Sequence, residues 1–321
     1  MPPTLRDIAV ACGVDVSTVS RALNGDSRVR EATRKRISQQ ARLMGYQPNQ
    51  AARSLVGART HTIWFVTPSL NHQLEWQPAE QASHYLYEHN YSLAIALFHG
   101  ESEQYEFQLS RLTQGVADGA IVIPGEEMAS PVFTYLHERG FPVVFLDRYP
   151  EGIPQPIVTT ANREAAAELV RRSIADGAEH LVLHLYDRNL VARDRREGAL
   201  EEIGKHGIPF TLSDKPLLPP APELDGKRIA FIANGQGYTH ATVLKWRQEL
   251  PHAVLSASVF DTWQGDPFPC HKVTTCIQDF RTMARHACDF ILGHLSGSAP
   301  LPTGLHLVPP VSYITMTSEV G

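Results

Sequence analysis

The chain has 321 residues, 43% hydrophobic and 20% charged, with a net charge of −5. That balance suits a soluble protein with a sizeable core and more than one domain, and it excludes wholesale disorder. No run approaches the roughly 18 consecutive apolar residues of a membrane-crossing helix, and no charged-then-apolar leader opens the sequence, so the expectation is a cytoplasmic protein with no membrane partner.

At the start of the chain Leu5, Ile8, Ala9 and Cys12 recur at i, i+3, i+4 and i+7, which predicts a short helix with one apolar face. Gly13 breaks the pattern, Asp15 is placed to cap a second helix, and Val16, Val19 and Leu23 supply its apolar side. The second helix leaves Ser17, Thr18, Ser20 and Arg21 outside. Small side chains let a helix backbone approach a DNA major groove, hydroxyls bind phosphate and arginine reaches base edges. A helical hairpin that merely caps a domain would show the same pattern. Ile37, Ala41 and Met44 predict a third helix, ended by Gly45. Charge separates the two readings: residues 1–60 hold ten Lys/Arg against four Asp/Glu, a formal +6, which leaves −11 on the other 261 residues. A basic head on an acidic body is the distribution expected when one end neutralises phosphates. Residues 47–60, helix-prone between Pro48 and Gly57, are too short for a stable helix and read by themselves as a linker.

From residue 61 short β-rich runs alternate with helical ones. Strands are expected at 62–67, 92–98, 119–123 and 142–146, then at 180–185, 228–233 and 254–260. Helices are expected near 78–89, 102–114, 130–139, 163–176, 188–206, 240–249 and 278–295. This is the pattern of two α/β halves with parallel sheets, and such sheets bind ligands beyond the carboxyl ends of their strands. Asp147-Arg148, Asn234 and Asp261 lie at those ends, and Arg195 lies on a helix. Together they suit a small polar ligand rich in hydroxyl or acidic groups. Asp147 and Arg148 could equally close an ion pair at the strand end. Arg195, with Arg193 and Arg196 beside it, could instead belong to a solvated basic helix start. Ser69 and Trp76, after the first strand, either line the same cleft or pack.

Cys12, Cys270, Cys276 and Cys288 lack paired CxxC spacing, so free thiols are expected and no metal site, Cys270-His271 and Cys276 included. No GxSxG, HExxH, phosphate loop or dinucleotide fingerprint stands in the context its chemistry needs, and the fifteen histidines are scattered. Neither an enzyme nor a cofactor is expected. The segment Leu305 to Gly321 has no heptad repeat, so a coiled-coil tetramer is not expected.

Four blocks resemble the LacI (lactose-repressor) family of bacterial transcriptional regulators: Thr4-Leu5-Arg6-Asp7-Ile8-Ala9, Gly13 to Gly25, Gly45-Tyr46-Gln47-Pro48-Asn49, and Ala52-Arg53-Ser54-Leu55. The resemblance implies a three-helix helix-turn-helix head at 1–46, a hinge helix at 47–60 and a periplasmic-binding-protein-like effector and dimerisation domain at 61–321. Lobe 1 of that domain would be about 61–160 with part of 277–321, and lobe 2 about 161–276. It also implies a homodimeric repressor that binds pseudo-palindromic double-stranded operator DNA and responds to a small effector such as a sugar. Val16, Ser17 and Arg21 match base-reading positions, and Thr4, Thr18, Ser20 and Asn24 match phosphate contacts. Asn49, Ala52, Arg53 and Leu55 match the minor-groove hinge, where an apolar wedge at Leu55 would unstack a base step. Asp147, Arg148, Arg195, Asn234 and Asp261 match or neighbour effector contacts, and Ser69 and Trp76 are added to the candidate effector residues by their position after the first strand alone. The sequence departs from the family pattern at Thr160-Ala161-Asn162-Arg163, at Asn234-Gly235 and at Val259-Phe260-Asp261-Thr262. Four prolines between Phe210 and Arg228 exclude the helix that relatives carry there, so lobe 2 is expected to be abbreviated. An effector-independent regulator with an altered cleft is the alternative that these departures leave open.

Overall fold

The computed structural model describes residues 3–23, 26–46, 59–125, 129–185, 189–213, 218–261 and 270–317. The chain divides into two compact units, Met1–Thr60 and His61–Gly321. No helix among the described residues is long and apolar enough to cross a membrane.

The described residues of the first unit form three helices around a small core. Helix α1 (Leu5–Cys12) opens with a capping box, in which Asp7 N donates to Thr4 Oγ1 and the Asp7 carboxylate accepts from Thr4 N at 2.7 Å. Those bonds hold the Asp7 carboxyl below its ordinary range. Gly13 ends α1 in the left-handed region, at φ 60°, where a side chain would be strained. Helices α2 (Val16–Leu23) and α3 (Glu31–Leu43) complete the unit, and the Asp15 carbonyl accepts from the amides of Thr18 and Val19. Ile8, Val19 and Ile37 are fully buried with Ala9, Ala22 and Ala41 around them. Val16, expected on the apolar side of α2, is exposed instead. It stands in the first turn at the margin of the apolar sector, and Ala22 fills the buried face that Val16 was expected to share.

The second unit contains two six-stranded sheets. Lobe 1 holds β1 (Thr62–Thr67), β2 (Ser92–Leu97), β3 (Gly119–Val122), β4 (Val143–Leu146), β5 (Ile157–Thr160) and β11 (Leu305–Val308), in the order β11-β5-β4-β3-β1-β2. Lobe 2 holds β6 (His180–His184), β7 (Phe210–Leu212), β8 (Arg228–Ala233), β9 (Val254–Phe260), β10 (Lys272–Ile277) and β12 (Ser312–Thr317), in the order β12-β10-β9-β8-β6-β7. Every pairing is parallel except β12 with β10. The orders correspond strand for strand, so β4 and β9 hold equivalent places.

Sequence periodicity missed β5, β7, β10, β11 and β12. The first two are only four and three residues long, and Pro309-Pro310 interrupts the apolar pattern between the last two. In lobe 1, α4 (Gln73–Glu88) and α10 (Phe280–Ser296) cover one face of the sheet, where Phe65, Val144, Met283 and Ala287 meet. Helices α5 (Ser102–Leu112) and α6 (Val132–Glu138) flank the other face around Tyr105, Phe133 and Phe145. Helix α4 starts five residues earlier than its predicted bound, with Pro78 inside it.

In lobe 2, α7 (Asn162–Ala175) and α8 (Leu190–His206) cover one face and α9 (Gln236–Glu249) the other. Helices α7 and α8 cross so closely that a Cβ on Gly198 would overlap the Arg163 backbone. Among the described residues the connection from β7 to β8 carries only a short 3-10 turn, Pro222–Leu224. Its place on the sheet is held by Leu224 and by Leu218, whose carbonyl accepts from Trp246 Nε1 at 2.7 Å. No α-helix stands in this connection among the described residues. The chain passes between lobes at Thr160 to Asn162, at Ile277 to Phe280 and at Val308 to Ser312.

Candidate functional site

In the head, Val16, Ser17 and Arg21 are exposed on α2, while Thr18 and Ser20 are half-buried beside them. The Thr4 hydroxyl already donates to Asp7 Oδ2 at 2.7 Å, so its first role is to cap α1. Arg28 is clamped by Asp26 through Nε and Nη2, and those bonds lower the Asp26 carboxyl to about 2. Arg36 Nη2 donates to the Cys12 carbonyl at 3.0 Å, tying α3 to α1. Asn24, Asn49, Ala52, Arg53 and Leu55 lie outside the described residues, as does most of the expected hinge.

In the second unit the carboxyl ends of both sheets face one cleft of about 1190 Å³. Ser69, Asp147, Arg148, Arg195, Asn234 and Asp261 all line it. Trp76 does not: it borders a separate hollow of about 370 Å³ with Leu70, Leu93 and Ile95. The reason is helical. With α4 beginning at Gln73, Glu75, Ala79, Ala82 and Leu86 share its buried face, and Trp76 turns outward.

Asp147 and Asp261 are equivalent residues of the two lobes. Each follows the fourth strand of its sheet and adopts a left-handed conformation, at φ 59° and 66°, which aspartate tolerates better than most residues. Each donates its backbone N–H to the neighbouring strand, Asp147 to Val158 at 2.8 Å and Asp261 to Cys276 at 3.0 Å. Both side chains are thereby turned off the sheet at the same level. Arg195, buried on α8, is the ion the two share. Its Nε donates to Asn162 Oδ1 at 2.7 Å, Nη1 to the Asn234 carbonyl at 3.4 Å and Nη2 to Gln278 Oε1 at 3.4 Å. Its guanidinium carbon lies 3.6 Å from the centre of the Phe260 ring. Gln278 also accepts from Thr160 Oγ1 and donates to Asp261 Oδ1, both at 2.6 Å. Arg195 therefore joins two of the three inter-lobe crossings, through Asn162 and Gln278. Burial pushes both carboxyls above their ordinary range and the guanidinium below its own, with the attraction between Arg195 and the aspartates opposing each shift.

On the lobe 1 side, Arg148 Nη2 lies 3.6 Å from Glu75 Oε1. Ser69 Oγ donates to Glu75 Oε2, and the His72 amide donates to it at 3.4 Å. Arg148 pairs with Glu75, not with its neighbour Asp147, so the ion pair considered for Asp147-Arg148 is absent among the described residues. Asp147 Oδ1, Arg148 Nε and Asn234 Oδ1 are buried with no hydrogen-bond partner among the described residues. Glu75, Asn162 and Gln278 escaped sequence reasoning as site residues. Glu75 precedes the predicted helix start, and Gln278 ends a strand that periodicity did not reveal. No group of three or more His, Cys, Asp or Glu that could hold a metal occurs among the described residues.

Residues 4–49 match the family described as bacterial regulatory proteins, lacI family, and residues 60–218 match periplasmic binding proteins and sugar binding domain of LacI family. The chain is 30% identical to the sucrose operon repressor of Klebsiella pneumoniae, over 95% of this chain and 96% of that protein. It is 27% identical to the HTH-type transcriptional regulator RafR of Escherichia coli, over 92% of this chain and 93% of the relative. Among solved structures, the Lac repressor dimer bound to operator and the anti-inducer ONPF superposes with a TM-score of 0.76, at 20% identity and 98% coverage of both chains.

Proposed function

The chain belongs to the LacI family of bacterial transcriptional regulators, and on that premise we propose that it is a cytoplasmic repressor that acts as a homodimer on a pseudo-palindromic operator and answers to a small polar effector bound between its lobes. Residues 1–46 form the DNA-reading head, 47–60 the hinge and 61–321 the effector and dimerisation region. Val16, Ser17 and Arg21 read bases from α2. Thr18, Ser20 and Asn24 position the head on phosphates together with Thr4, and Asn49, Ala52, Arg53 and Leu55 occupy the minor groove. A single three-helix head reads too few base pairs for tight specificity, so two heads per site are needed. Support for a dimer face comes from the edge strand β2 and the neighbouring α4, where Leu70, Trp76 and Ile95 are exposed around one apolar hollow.

The observation that carries the effector reading is the cleft itself, where Asp147, Arg148, Arg195, Asn234 and Asp261 converge and three of them keep a buried polar atom with no partner among the described residues. The test is selection of bound duplexes from a random pool by the full-length protein, followed by competition with a panel of sugars. An enriched palindrome whose retention changes with one sugar is expected. Binding that is sequence-blind and lost with salt would refute the repressor reading. A palindrome that no ligand affects would favour the effector-independent alternative.

A further inference from the structure

Resting on the reading that the cleft binds an effector, we propose that it selects an uncharged polyhydroxylated molecule and rejects the phosphorylated form of the same molecule.

Among the described residues two guanidiniums face the cleft, and each meets carboxylate charge there. Arg148 is matched by the buried Glu75, which is held in place by Ser69 Oγ and the His72 amide. Arg195 is subject to the charge of both Asp147 and Asp261, and each of its three nitrogens donates once, to Asn162, Asn234 and Gln278. A guanidinium stays charged in a protein, so these two positive charges face three carboxyl groups. With all three carboxyls ionised the described lining is net negative, and one proton on an aspartate, the direction in which burial pushes, makes it neutral. In both states the guanidiniums are matched by carboxylate charge, so a phosphate, which pairs bidentately with a guanidinium, meets no net positive charge among the described residues. A dianion would have to displace Glu75 or sit beside an aspartate.

The unpartnered atoms point the same way. Asp147 Oδ1 and Asn234 Oδ1 are acceptors and Arg148 Nε is a donor. A ligand hydroxyl can donate to the first two and accept from the third, whereas a phosphate dianion can only accept. Leaving a buried acceptor unmatched discriminates against the wrong ligand more strongly than a lost contact does.

The experiment uses the full-length protein and calorimetric titration at pH 8, above the ordinary imidazole range, because His72, His99, His184 and His240 also line the cleft. The probes are glucose, fructose and sucrose, each with its monophosphate ester, and inorganic phosphate. The expected result is that any sugar that binds does so roughly tenfold or more tightly than its ester. Glu75→Gln keeps the side chain's size, frees Arg148 and gains affinity for inorganic phosphate over the wild type. Glu75→Gln with Arg148→Gln loses that gain, which separates the cleft from phosphate held by the basic head. An ester that binds the wild type more tightly than its sugar would overturn the selectivity and leave the effector reading standing. If no probe binds the wild type and Glu75→Gln gains nothing, the effector reading fails and the selectivity with it.

Discussion

Replacing Arg195 by methionine removes the one ion that both aspartates share while keeping most of the side-chain volume. Three hydrogen bonds go with it, to Asn162, Asn234 and Gln278, as does the stacking on Phe260. What dominates is the pair of carboxyls left behind, Asp147 being 2% exposed. Arg195 acts on both carboxyls at longer range than a contact ion pair, so its removal should cost about 1–3 kcal/mol, from the lost hydrogen bonds and from buried charge left less compensated. The sign of the pH dependence follows. Both carboxyls titrate higher in the folded protein than in the unfolded chain, and higher still without Arg195. The folded state therefore binds protons that the unfolded state has lost, and stability falls as pH rises through that window. The deficit of Arg195→Met against wild type should be full near pH 8 and shrink towards pH 4. Adding Asp147→Asn, which does not titrate, should restore much of the loss at pH 8. Urea unfolding followed by tryptophan fluorescence measures this in the second unit alone, since all four tryptophans lie beyond residue 61. A deficit below about 1 kcal/mol, or one that does not vary with pH, would refute the view that Arg195 compensates buried charge.

Arg21→Ala should weaken operator binding by about 1–3 kcal/mol and relax the preference at one base pair of each half-site, whereas an equal loss on every duplex would make Arg21 a phosphate contact. Gly198→Ala should cost about 1–3 kcal/mol in urea unfolding, because the new Cβ meets the Arg163 carbonyl where α7 and α8 cross; a neutral outcome would mean that the two helices can separate freely. Ile95→Asp, on the exposed edge strand, should turn a dimer into a monomer in sedimentation and weaken operator binding with no change in effector affinity, and an unchanged dimer would place the interface elsewhere.

The strand-end residues were legible because the rule behind them is geometric. Once 142–146 and 254–260 read as strands of parallel sheets, Asp147 and Asp261 had to emerge at the carboxyl edge. Glu75 was not legible, since α4 was expected from residue 78 and its true start puts Glu75 on the buried face and Trp76 on the outer one. An error of a few residues at a helix start changes which face each side chain joins, because each residue turns the helix by about 100°. Gln278 was hidden for a different reason. Lys272–Ile277 mixes threonine, cysteine and lysine with only two aliphatic residues, and its strand character comes from pairing with β9 and β12. Asn162 belonged to a stretch that departs from the family pattern, yet its amide is what the Arg195 Nε bonds to.

The abbreviated lobe is where the sequence suggested a reshaped pocket, and topology explains why the loss need not reach it. Described residues of the connection from β7 to β8 lie on the face that α9 covers: Leu218 through its carbonyl bond to Trp246, and Leu224 in the core. The strand order β8-β6-β7 survives. Lobe 2 contributes to the cleft through the ends of β6, β8 and β9 and the starts of α8 and α9, with Gln278 following β10, and among the described residues none between 196 and 233 lines it. A missing helix on one face of a sheet thus leaves its carboxyl edge intact, provided that something apolar still covers the strands. The prolines disfavour an α-helix in this connection, whose described residues carry only the turn Pro222–Leu224.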